Sequence, residues 1–507
     1  MKSTESVWAE APLERAAVRL DSDLACDVCI IGAGIAGLTI AYRLVKMGKA
    51  VVVLEGKSKI ASGESFATTA HLASYIDDEF DHIRSIRGAD AAKAAHTSHA
   101  AAIDFIEATA QAERIDCDFL RVPGYLFPGA DGDTTTIDRE EKLSREYGIP
   151  VERIAHVPFE GSKGAPCLRY PDQGQFHPLK YLTGLAAAIH DLGGAIYTDE
   201  RVDSVKGGRT AVIATQRGRT IRADAVVLAT NTPINSGVRT NMRLASYTTY
   251  AIAGEIPPGS VEAGLYWDTE DPYHYVRTQR TESGSEWLII GGEDHKTGQA
   301  DDRTERWNRL EAWARKRFPA LRSIDHRWDG QVIETLDGLG LIGPEPGGEA
   351  NVFIATGDSG MGMTHGTLAG LILPDLIAGR SNPWAELYSP SRLPVAAIKT
   401  LVSENVNMAA QYADYATSGD VSSADDLKPG TGAVIRHGLA KVAVYRTKEG
   451  VACEMSAVCP HMGGIVHWNA SDERWECPLH GSTFSAQGRV VHGPATDDLA
   501  PVGNSED

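Results

Sequence analysis

Asp27-Val-Cys-Ile-Ile-Gly-Ala-Gly-Ile-Ala-Gly37 is a short apolar run that leads directly into a glycine-rich turn. The apolar residues 28–31 predict a buried parallel strand, and the segment 38–47 predicts the helix that follows the turn. In this G-x-G-x-x-G pattern the first glycine permits a tight turn, the second lets the backbone approach a diphosphate, and the third lets helix and strand pack closely. The pattern therefore predicts that the helix N-terminus holds the diphosphate of a dinucleotide.

A second apolar strand follows at residues 50–54, and it ends at Glu55. An acid about twenty residues after the glycines is the group that bonds the ribose in this kind of site. Because strand, glycines, helix, strand and acid occur in this order, we expect a bound dinucleotide rather than a glycine-rich turn without one. The residues predicted to contact it in this part of the chain are Gly32, Gly34, Ile35, Ala36, Gly37 and Glu55.

The segment Gly338-Leu-Gly-Leu-Ile-Gly343 matches the same glycine pattern, but its surroundings differ. Glu334-Thr-Leu-Asp337 precedes it, and Pro344-Glu-Pro346 follows it where a helix would have to begin. Since these prolines are incompatible with that helix, we expect no second dinucleotide such as NAD(P)H to bind there.

The overall composition limits the classes of protein to which the chain can belong. With 507 residues it is long enough for two or three domains. The formal charge of −19 and the lack of Lys/Arg clusters argue against nucleic acid and anionic membranes as partners. No apolar run reaches transmembrane length, no signal peptide is visible, and the seven cysteines are not spaced as a disulfide framework. We therefore expect a cytoplasmic protein.

Two short motifs near the C-terminus carry metal-binding residues. Cys459-Pro-His461 supplies one thiolate and one imidazole, and Cys477-Pro-Leu-His480 supplies the same pair. Zinc could bind such a set, but zinc sites usually place like ligands in the same short motif. One Cys and one His per loop suits a [2Fe–2S] cluster in which two Cys hold one iron and two His the other. The predicted cluster ligands are Cys459, His461, Cys477 and His480.

The spacing of these ligands and the glycines at 463, 464 and 481 resemble the Rieske family. In high-potential members of that family each loop has a further Cys, and the two form a disulfide. Gly464 and Leu479 occupy those positions here, and Phe484 stands where a tyrosine often follows. Because fewer hydrogen bonds to sulfur lower the reduction potential, the resemblance implies a ferredoxin-type cluster of lower potential.

The long segment before these motifs resembles the D-amino-acid oxidase/glycine oxidase family of FAD oxidoreductases. The resemblance rests on residues 32–37 and Glu55, on Trp328-Asp-Gly330, and on the strand 351–357 with the glycines that follow it. It implies that Glu55 binds the FAD ribose, that Val202 bonds the adenine through its backbone, and that the later glycines lie at the isoalloxazine end. The further FAD contacts that it implies are Thr68, Thr69, Val202, Gly357, Gly360, Gly362, Met363 and Thr364.

The family's loop after the ribose acid reads Ser65-Phe-Ala-Thr-Thr-Ala-His71 here, which would place His71 over the flavin. Some relatives attach FAD through a His in this neighbourhood, and a hydrogen-bonded or solvated His71 is the alternative. Tyrosines and an arginine between residues 245 and 295 lie on strands that face the substrate in relatives. The candidate catalytic residues are His71, Tyr250, Tyr275 and Arg277, and Tyr247 and Tyr273 lie on the same strands.

These resemblances predict the fold class and the order of the domains. We expect an α/β FAD-binding Rossmann-type domain with an antiparallel-sheet substrate domain, and a small all-β Rieske domain at the C-terminus. The FAD oxidoreductase domain would span residues 26–380. Within it, the FAD-binding parts would be 26–75, 180–235 and 325–380, and the substrate parts 76–179 and 236–324. The other predicted segments are an N-terminal arm (1–25), a helical linker (381–429) and the Rieske domain (430–507).

Pairing this fold with a Rieske domain resembles a bacterial group of Rieske-bearing FAD oxidoreductases. The implied chemistry is hydride transfer to FAD from a C–H bond next to nitrogen, with a small amine or amino acid as substrate. We expect the cluster to pass the electrons to a soluble external acceptor. Two alternatives remain: a module that relays electrons to a partner oxygenase, and a flavoprotein whose cluster is a structural or redox-sensing element. The sequence does not indicate an oligomeric state.

Overall fold

In a computed structural model of the chain, the described residues are 5–9, 18–160, 164–234, 238–281, 283–349, 351–394, 396, 406–408 and 410–502. The first elements in chain order are β1 (Leu24–Ile31), α1 (Ile35–Lys46), β2 (Val51–Leu54), α2 (Glu64–Ala67), β3 (His71–Leu72), α3 (Phe80–Arg87), α4 (Ala89–Ala112), β4 (Leu120–Phe127), α5 (Thr135–Tyr147), β5 (Glu152–Ile154), β6 (Cys167–Gln175), α6 (Pro178–Asp191) and β7 (Ala195–Tyr197).

The remaining elements belong to the rest of the two large sheets and to the C-terminal part. Those of the large sheets are β8 (Val202–Lys206), β9 (Ala211–Thr215), β10 (Thr220–Leu228), α7 (Val238–Asn241), β11 (Leu244–Ile256), β12 (Leu265–Asp268), β13 (His274–Arg280), β14 (Glu286–Lys296), α8 (Arg303–Arg317), β15 (His326–Thr335), β16 (Leu341–Pro344), β17 (Val352–Thr356) and α9 (Gly362–Ile377). Those of the C-terminal part are β18 (Gly432–His437), β19 (Ala440–Arg446), β20 (Ala452–Ser456), β21 (His467–Asn469), β22 (Arg474–Glu476), β23 (Thr483–Ser485) and β24 (Val490–His492).

The first large sheet contains β1 near its centre. Its strand order is β16-β17-β10-β1-β2-β7, with β9 beside β10 and β8 beside β9. β1 pairs in parallel with both neighbours, so that Val28 lies opposite Val51 and Ala225. Ile30 packs into the core on one face of the sheet, and Cys29 packs into the core on the other. Burial on both faces explains why residues 28–31 of the strand are all apolar.

The second large sheet is mostly antiparallel. Its strand order is β15-β11-β14-β13-β12-β4-β6-β3, with β5 beside β6, and only its β12–β4 pair is parallel. α8 covers one face through Trp307, Leu310 and Ala314, which are fully buried. The two sheets confirm the predicted α/β FAD-binding domain with an antiparallel-sheet substrate domain.

The C-terminal strands form two small antiparallel sheets, β18-β19-β20 and β21-β22-β23-β24. Trp475 and Phe484 are fully buried in the core that these sheets share with the cysteines of the two metal-binding motifs. The predicted all-β C-terminal domain is therefore confirmed. An isolated bridge from Gly419 to Ile435 also ties chain from before residue 430 to this unit.

Two elements begin earlier than their apolar patterns predict. β1 begins at Leu24 rather than at residue 28, because its first residues extend the pairing with β10 although they are only partly buried. α9 begins at Gly362 rather than at residue 365, because the turn after β17 is shorter than its glycines suggest. In the part of the chain that the structure describes, no helix is both long and apolar enough to cross a membrane.

Parts of the predicted arm and linker pack against the FAD-binding domain. In the arm, Trp8 is 1 % exposed, and its indole N–H donates to Thr68 O at 2.6 Å. In the linker, the side chain of Tyr388 is fully buried in the core that also contains α1 and α9. Of the helical linker predicted over residues 381–429, residues 395, 397–405 and 409 lie outside the described residues.

Candidate functional site

The glycine-rich turn between β1 and α1 leaves no room for side chains. Gly32 has a φ of +105°, and a Cβ there would lie 2.3 Å from Ala229 O, so that only glycine fits. A Cβ on Gly37 would lie 1.9 Å from Gly32 O, so that α1 can approach the strand only because this residue has no side chain. These are the steric roles that the sequence pattern predicts for its first and third glycines.

A cavity of about 410 Å³ lies in front of this turn. Residues 32–36, Glu55 and Val202 line one end of it. The Glu55 carboxylate accepts hydrogen bonds from the N–H groups of Ala33 and Lys57, both at 2.9 Å. These bonds hold an acidic group beside the first turn of α1, next to the position where a diphosphate would bind. This end of the cavity therefore fits the diphosphate and ribose of a dinucleotide.

The other end of the cavity is formed by the turn after β17 and the start of α9. The residues that line it there include Gly357, Gly360, Gly362 and Met363. Thr364 does not line the cavity. Its side chain is 1 % exposed and shares a hydrogen bond of 2.7 Å with His99 Nδ1 on α4, because residue 364 lies on the side of α9 that faces α4.

The loop before β3 lines the cavity between these two ends through Thr68 and Thr69, and His71 at the start of β3 also lines it. His71 Nδ1 lies 3.1 Å from Thr69 Oγ1, and Thr68 Oγ1 accepts a hydrogen bond from Ala70 N. His71 Nε2 is buried and has no hydrogen-bond partner among the described residues. Burial and the nearby Arg277 lower the pKa of His71 to about 3, so that the imidazole is neutral at pH 7.

Tyr275 is the second catalytic candidate that lies in the cavity. Its hydroxyl shares a hydrogen bond of 2.9 Å with Thr249, and its ring meets that of His71 edge-on, with centroids 5.4 Å apart. Tyr273 also lines the cavity and donates to Asp77 Oδ2 at 2.6 Å. The two tyrosines reach the cavity together because residues two apart in extended chain point to the same face.

Tyr250, another catalytic candidate, does not reach the cavity. Its neighbours Thr249 and Ala251 on β11 line the cavity, so Tyr250 points to the opposite face of the sheet. There it is 2 % exposed, stacks on His295 with ring centroids 5.7 Å apart, and meets the edge of Trp307 on α8. Its position fits a core residue that holds α8 against the sheet.

Arg277, the fourth candidate, is fully buried outside the cavity lining. Its guanidinium donates to Ala70 O at 2.7 Å and to Phe176 O at 3.1 Å, and it lies over the ring of Trp8. Burial lowers its pKa to about 9. The Arg277 side chain thus binds the backbone next to His71, so it cannot also bind a substrate carboxylate.

Three carboxyl groups in the cavity were not identified from the sequence. Asp77, Asp294 and Asp358 line its substrate end, and they come from segments far apart in the chain, so no local motif marks them. Burial raises the pKa of Asp77 to about 8, that of Asp358 to about 7 and that of Asp294 to about 6. The only lysine and arginine among the described lining residues are Lys57 and Arg201, which lie beside Glu55 and Val202 at the ribose end.

The four predicted metal ligands come together in the C-terminal domain. Cys459 and Cys477 are 1 % and 2 % exposed, and the hydrogen bond between the two thiols lowers the pKa of Cys459. The rings of His461 and His480 meet with centroids 5.0 Å apart. Burial lowers the pKa of each imidazole to about 4, which leaves both in the neutral form that binds metal.

The His480 ring nitrogens are both buried, and neither has a hydrogen-bond partner within the described chain. Ser482 bonds the Cys459 thiol and accepts a hydrogen bond from Ala495 N at 3.0 Å. Two buried thiols, two neutral imidazoles and orphaned ring nitrogens fit a [2Fe–2S] cluster with two Cys and two His ligands. Tyr412, which the sequence did not single out, donates to the carbonyl group of Met462 in the first ligand loop at 2.7 Å.

The C-terminal domain also forms part of the large cavity. Residues 490–493, Ala495 and Thr496 lie among the residues that line it. His492 Nδ1 lies 3.3 Å from the carboxylate of Glu64, which belongs to the FAD-binding domain. The C-terminal domain therefore borders the cavity, although none of the four predicted cluster ligands lines it.

Comparison with known proteins assigns both parts of the chain to families. The family described as FAD dependent oxidoreductase (DAO) matches residues 27–376, and the family described as Rieske [2Fe-2S] domain matches residues 418–502. The chain therefore belongs to the DAO family of FAD-dependent oxidoreductases and carries a Rieske domain at its C-terminus. Its cofactors are FAD and a [2Fe–2S] cluster, as predicted.

Individual relatives differ in how much of the chain they match. The Bacillus subtilis (strain 168) protein YhfW, described as a Rieske 2Fe-2S iron-sulfur protein, is 28% identical over 504 residues, 99% of this chain and 98% of YhfW. Gamma-glutamylputrescine oxidoreductase of Escherichia coli (strain K12) is 26% identical over 410 residues, 78% of this chain and 93% of its own. Glycine oxidase from Geobacillus kaustophilus superposes with a TM-score of 0.60 at 19% identity and covers 73% of this chain and 99% of its own. This last likeness shows the fold.

Proposed function

We propose that the protein oxidises an amine or amino acid with FAD and passes the electrons through its Rieske domain to an external one-electron acceptor. The observation that carries this proposal is the contact of the Rieske domain with the cavity of the FAD-binding domain. Residues 490–493 of the Rieske domain line the same cavity as the FAD-binding glycines. This shared lining supports a role of the Rieske domain in turnover rather than a separate structural role.

FAD, when bound, accepts a hydride from a C–H bond next to nitrogen, and the chain positions the substrate for that step. Tyr273, Tyr275 and Trp267 line the cavity, and Trp267 lies directly across from Tyr275 in the β12–β13 pair. Tyr273 is fixed by its bond to Asp77, and Tyr275 by its bond to Thr249. These aromatic side chains therefore form one apolar surface against which a substrate could be positioned.

The charge of the cavity favours an amine over an α-amino acid. Asp294 is ionised above about pH 6, and its Oδ1 atom has no hydrogen-bond partner in the described structure, which fits a substrate ammonium. The substrate end has no lysine or arginine among its described lining residues to bind a carboxylate. The similarity to an oxidoreductase named for an amine, gamma-glutamylputrescine, supports the same choice.

Anaerobic titration of the holoprotein with amines and α-amino acids tests this proposal. We expect amines to bleach the flavin absorbance first and the cluster absorbance afterwards, with α-amino acids less effective. Bleaching by NAD(P)H alone would instead support the relay to a partner oxygenase. Bleaching of the flavin without any change in the cluster would support the redox-sensing alternative.

The acceptor and the location belong to the same proposal. From the net charge of −19 we propose a soluble acceptor with a basic docking surface. We also propose the cytoplasmic location that the sequence predicts. Reduction of such an acceptor by substrate-reduced protein should slow as the salt concentration rises, because salt screens the attraction between opposite charges. A rate independent of salt, or recovery of the protein outside the cytoplasmic fraction, would contradict this part.

A further inference from the structure

The second cluster loop packs directly against the sheet of the FAD-dependent domain. Gly481 follows the ligand His480, and a Cβ on Gly481 would lie 2.1 Å from Ser246 Oγ on β11. A Cβ on Gly298 would lie 3.0 Å from the Pro478 backbone in the same loop. The loop and the sheet can be this close only because glycine stands on each side of the contact.

Gln331 on β15 connects the flavin cavity with this loop. It lines the large cavity, and its side-chain amide donates to Gly481 O at 2.8 Å. Its backbone N–H donates to Glu64 Oε2, which also belongs to the cavity lining. The route from the cavity to the cluster ligand His480 therefore contains Gln331, one hydrogen bond and the backbone of Gly481.

Ion pairs across the domain boundary connect the Rieske domain to the FAD-dependent domain. Arg474 of the Rieske domain lies 3.3 Å from Asp329 on β15, two residues before Gln331. Arg303 of α8 pairs with Asp329 and with Asp472 of the Rieske domain. Most of these groups are well buried, and buried pairs of this kind fix the relative orientation of the elements that carry them.

We infer that Gln331 is a positioning residue that couples the flavin cavity to the cluster loop, so that electrons pass between the cofactors within one chain. This inference rests on the proposed function. Reduced flavin loses two electrons, and its protons go to solvent. With both cofactors bound, the electrons would cross one at a time. Each would convert a ferric iron of the cluster to ferrous and would leave to a one-electron acceptor such as ferricyanide before the next arrives.

Replacing Gln331 by Met, which has the same length but no donor, tests the inference. The matched control is Gln216→Met, because the Gln216 amide also donates to a Rieske backbone carbonyl, that of Thr496, but on the exposed surface away from the ligand loops. Light-driven reduction of the flavin with EDTA as electron donor starts the reaction, so the result does not depend on the substrate. Flavin and cluster absorbance are followed separately in the holoprotein.

We expect Gln331→Met to slow cluster reduction several-fold relative to flavin reduction, because the hydrogen bond that links the cavity lining to the cluster loop is lost. Gln216→Met should match the parent protein, and the electron paramagnetic resonance spectrum and midpoint potential of the cluster should be unchanged in both. Equal slowing in both variants, no slowing in Gln331→Met, or a shifted potential in that variant would overturn the inference. Should Gln331→Met lose a cofactor, Gln331→Leu provides the same test, because it also lacks the donor and adds no charge.

The failure of this inference can be told apart from failure of the proposed function. If no amine or amino acid reduces the flavin, the proposed function is wrong, while light-driven transfer to the cluster can still be slowed by Gln331→Met. If amines reduce both cofactors and Gln331→Met has no effect, the proposed function stands and the coupling role of Gln331 is wrong.

Discussion

Glu55 has the most clearly defined task of any single residue in the cavity. Its two oxygens accept the N–H groups of Ala33 and Lys57, which fixes the carboxylate beside the glycine-rich turn. Glu55→Ala should weaken FAD binding at least tenfold, because hydrogen bonds to a charged group contribute about 1.5–3 kcal/mol each. Titration of the apoprotein with FAD measures the loss. The cluster spectrum should persist, and loss of both cofactors to the same extent would contradict the separation of the two sites.

Asp77 gives a stability prediction with a defined pH dependence. Burial raises its pKa from 3.8 to about 8. Between about pH 4 and pH 8 the folded protein therefore keeps the Asp77 proton, which the unfolded protein has lost. The free energy of unfolding therefore falls as the pH rises from about 4 to 8. Asp77→Asn keeps an acceptor for the Tyr273 hydroxyl but cannot ionise. Its melting temperature should exceed that of the parent protein at pH 8 and equal it near pH 4, whereas exposed Asp191→Asn should show no such trend.

At the level of elements, β11 shows where prediction from sequence stops. The alternation of side chains between the two faces of β11 is visible in the sequence. Which face meets the cavity depends on the neighbouring strands and on the register shift between Thr248 and Tyr250 where β11 pairs with β14. That shift arises from both strands together. β1 and its glycines were predictable because strand, turn and helix follow one another within the stretch 27–37, and each ligand loop of the cluster is equally local.

The N-terminal segment 5–9 was predicted as part of an arm, yet it contributes to the core. Trp8 donates to Thr68 O, lies over the guanidinium of Arg277 and meets the ring of His177 edge-on. Trp8→Ala should destabilise the protein by about 3 kcal/mol, as is usual for a buried Trp, and should weaken FAD binding through the loop at Thr68. Trp8→Phe loses mainly the hydrogen bond and should cost about 1 kcal/mol. Denaturant unfolding distinguishes the two, and equal effects would contradict this packing role.

For the molecule as a whole, the contact between the domains determines what the cluster can do. Asn241 Nδ2 lies 3.2 Å from His461 Nε2, and the loop of His480 rests on β11 and β15. Both ligand loops therefore touch the FAD-dependent domain. This contact was not predictable from sequence, because the two loops and the residues opposite them are more than a hundred positions apart. An external acceptor must approach the cluster from another side.

The direction of electron flow is the last consequence of this arrangement. Without the disulfide positions, and with Phe484 in place of a tyrosine, the cluster potential should lie in the lower part of the Rieske range of about −150 to +300 mV. Flavin reduced by an amine can still pass electrons to it when the next acceptor draws them away.

His480→Cys replaces an imidazole ligand by a thiolate, so it should change the cluster spectrum, preserve flavin reduction by substrate and slow ferricyanide reduction. His467→Asn, in the same domain but bonded to Asp414, should change none of the three. If flavin reduction by substrate were lost in a folded, FAD-loaded His480→Cys variant, the cluster would lie before the flavin and the proposed direction would be reversed.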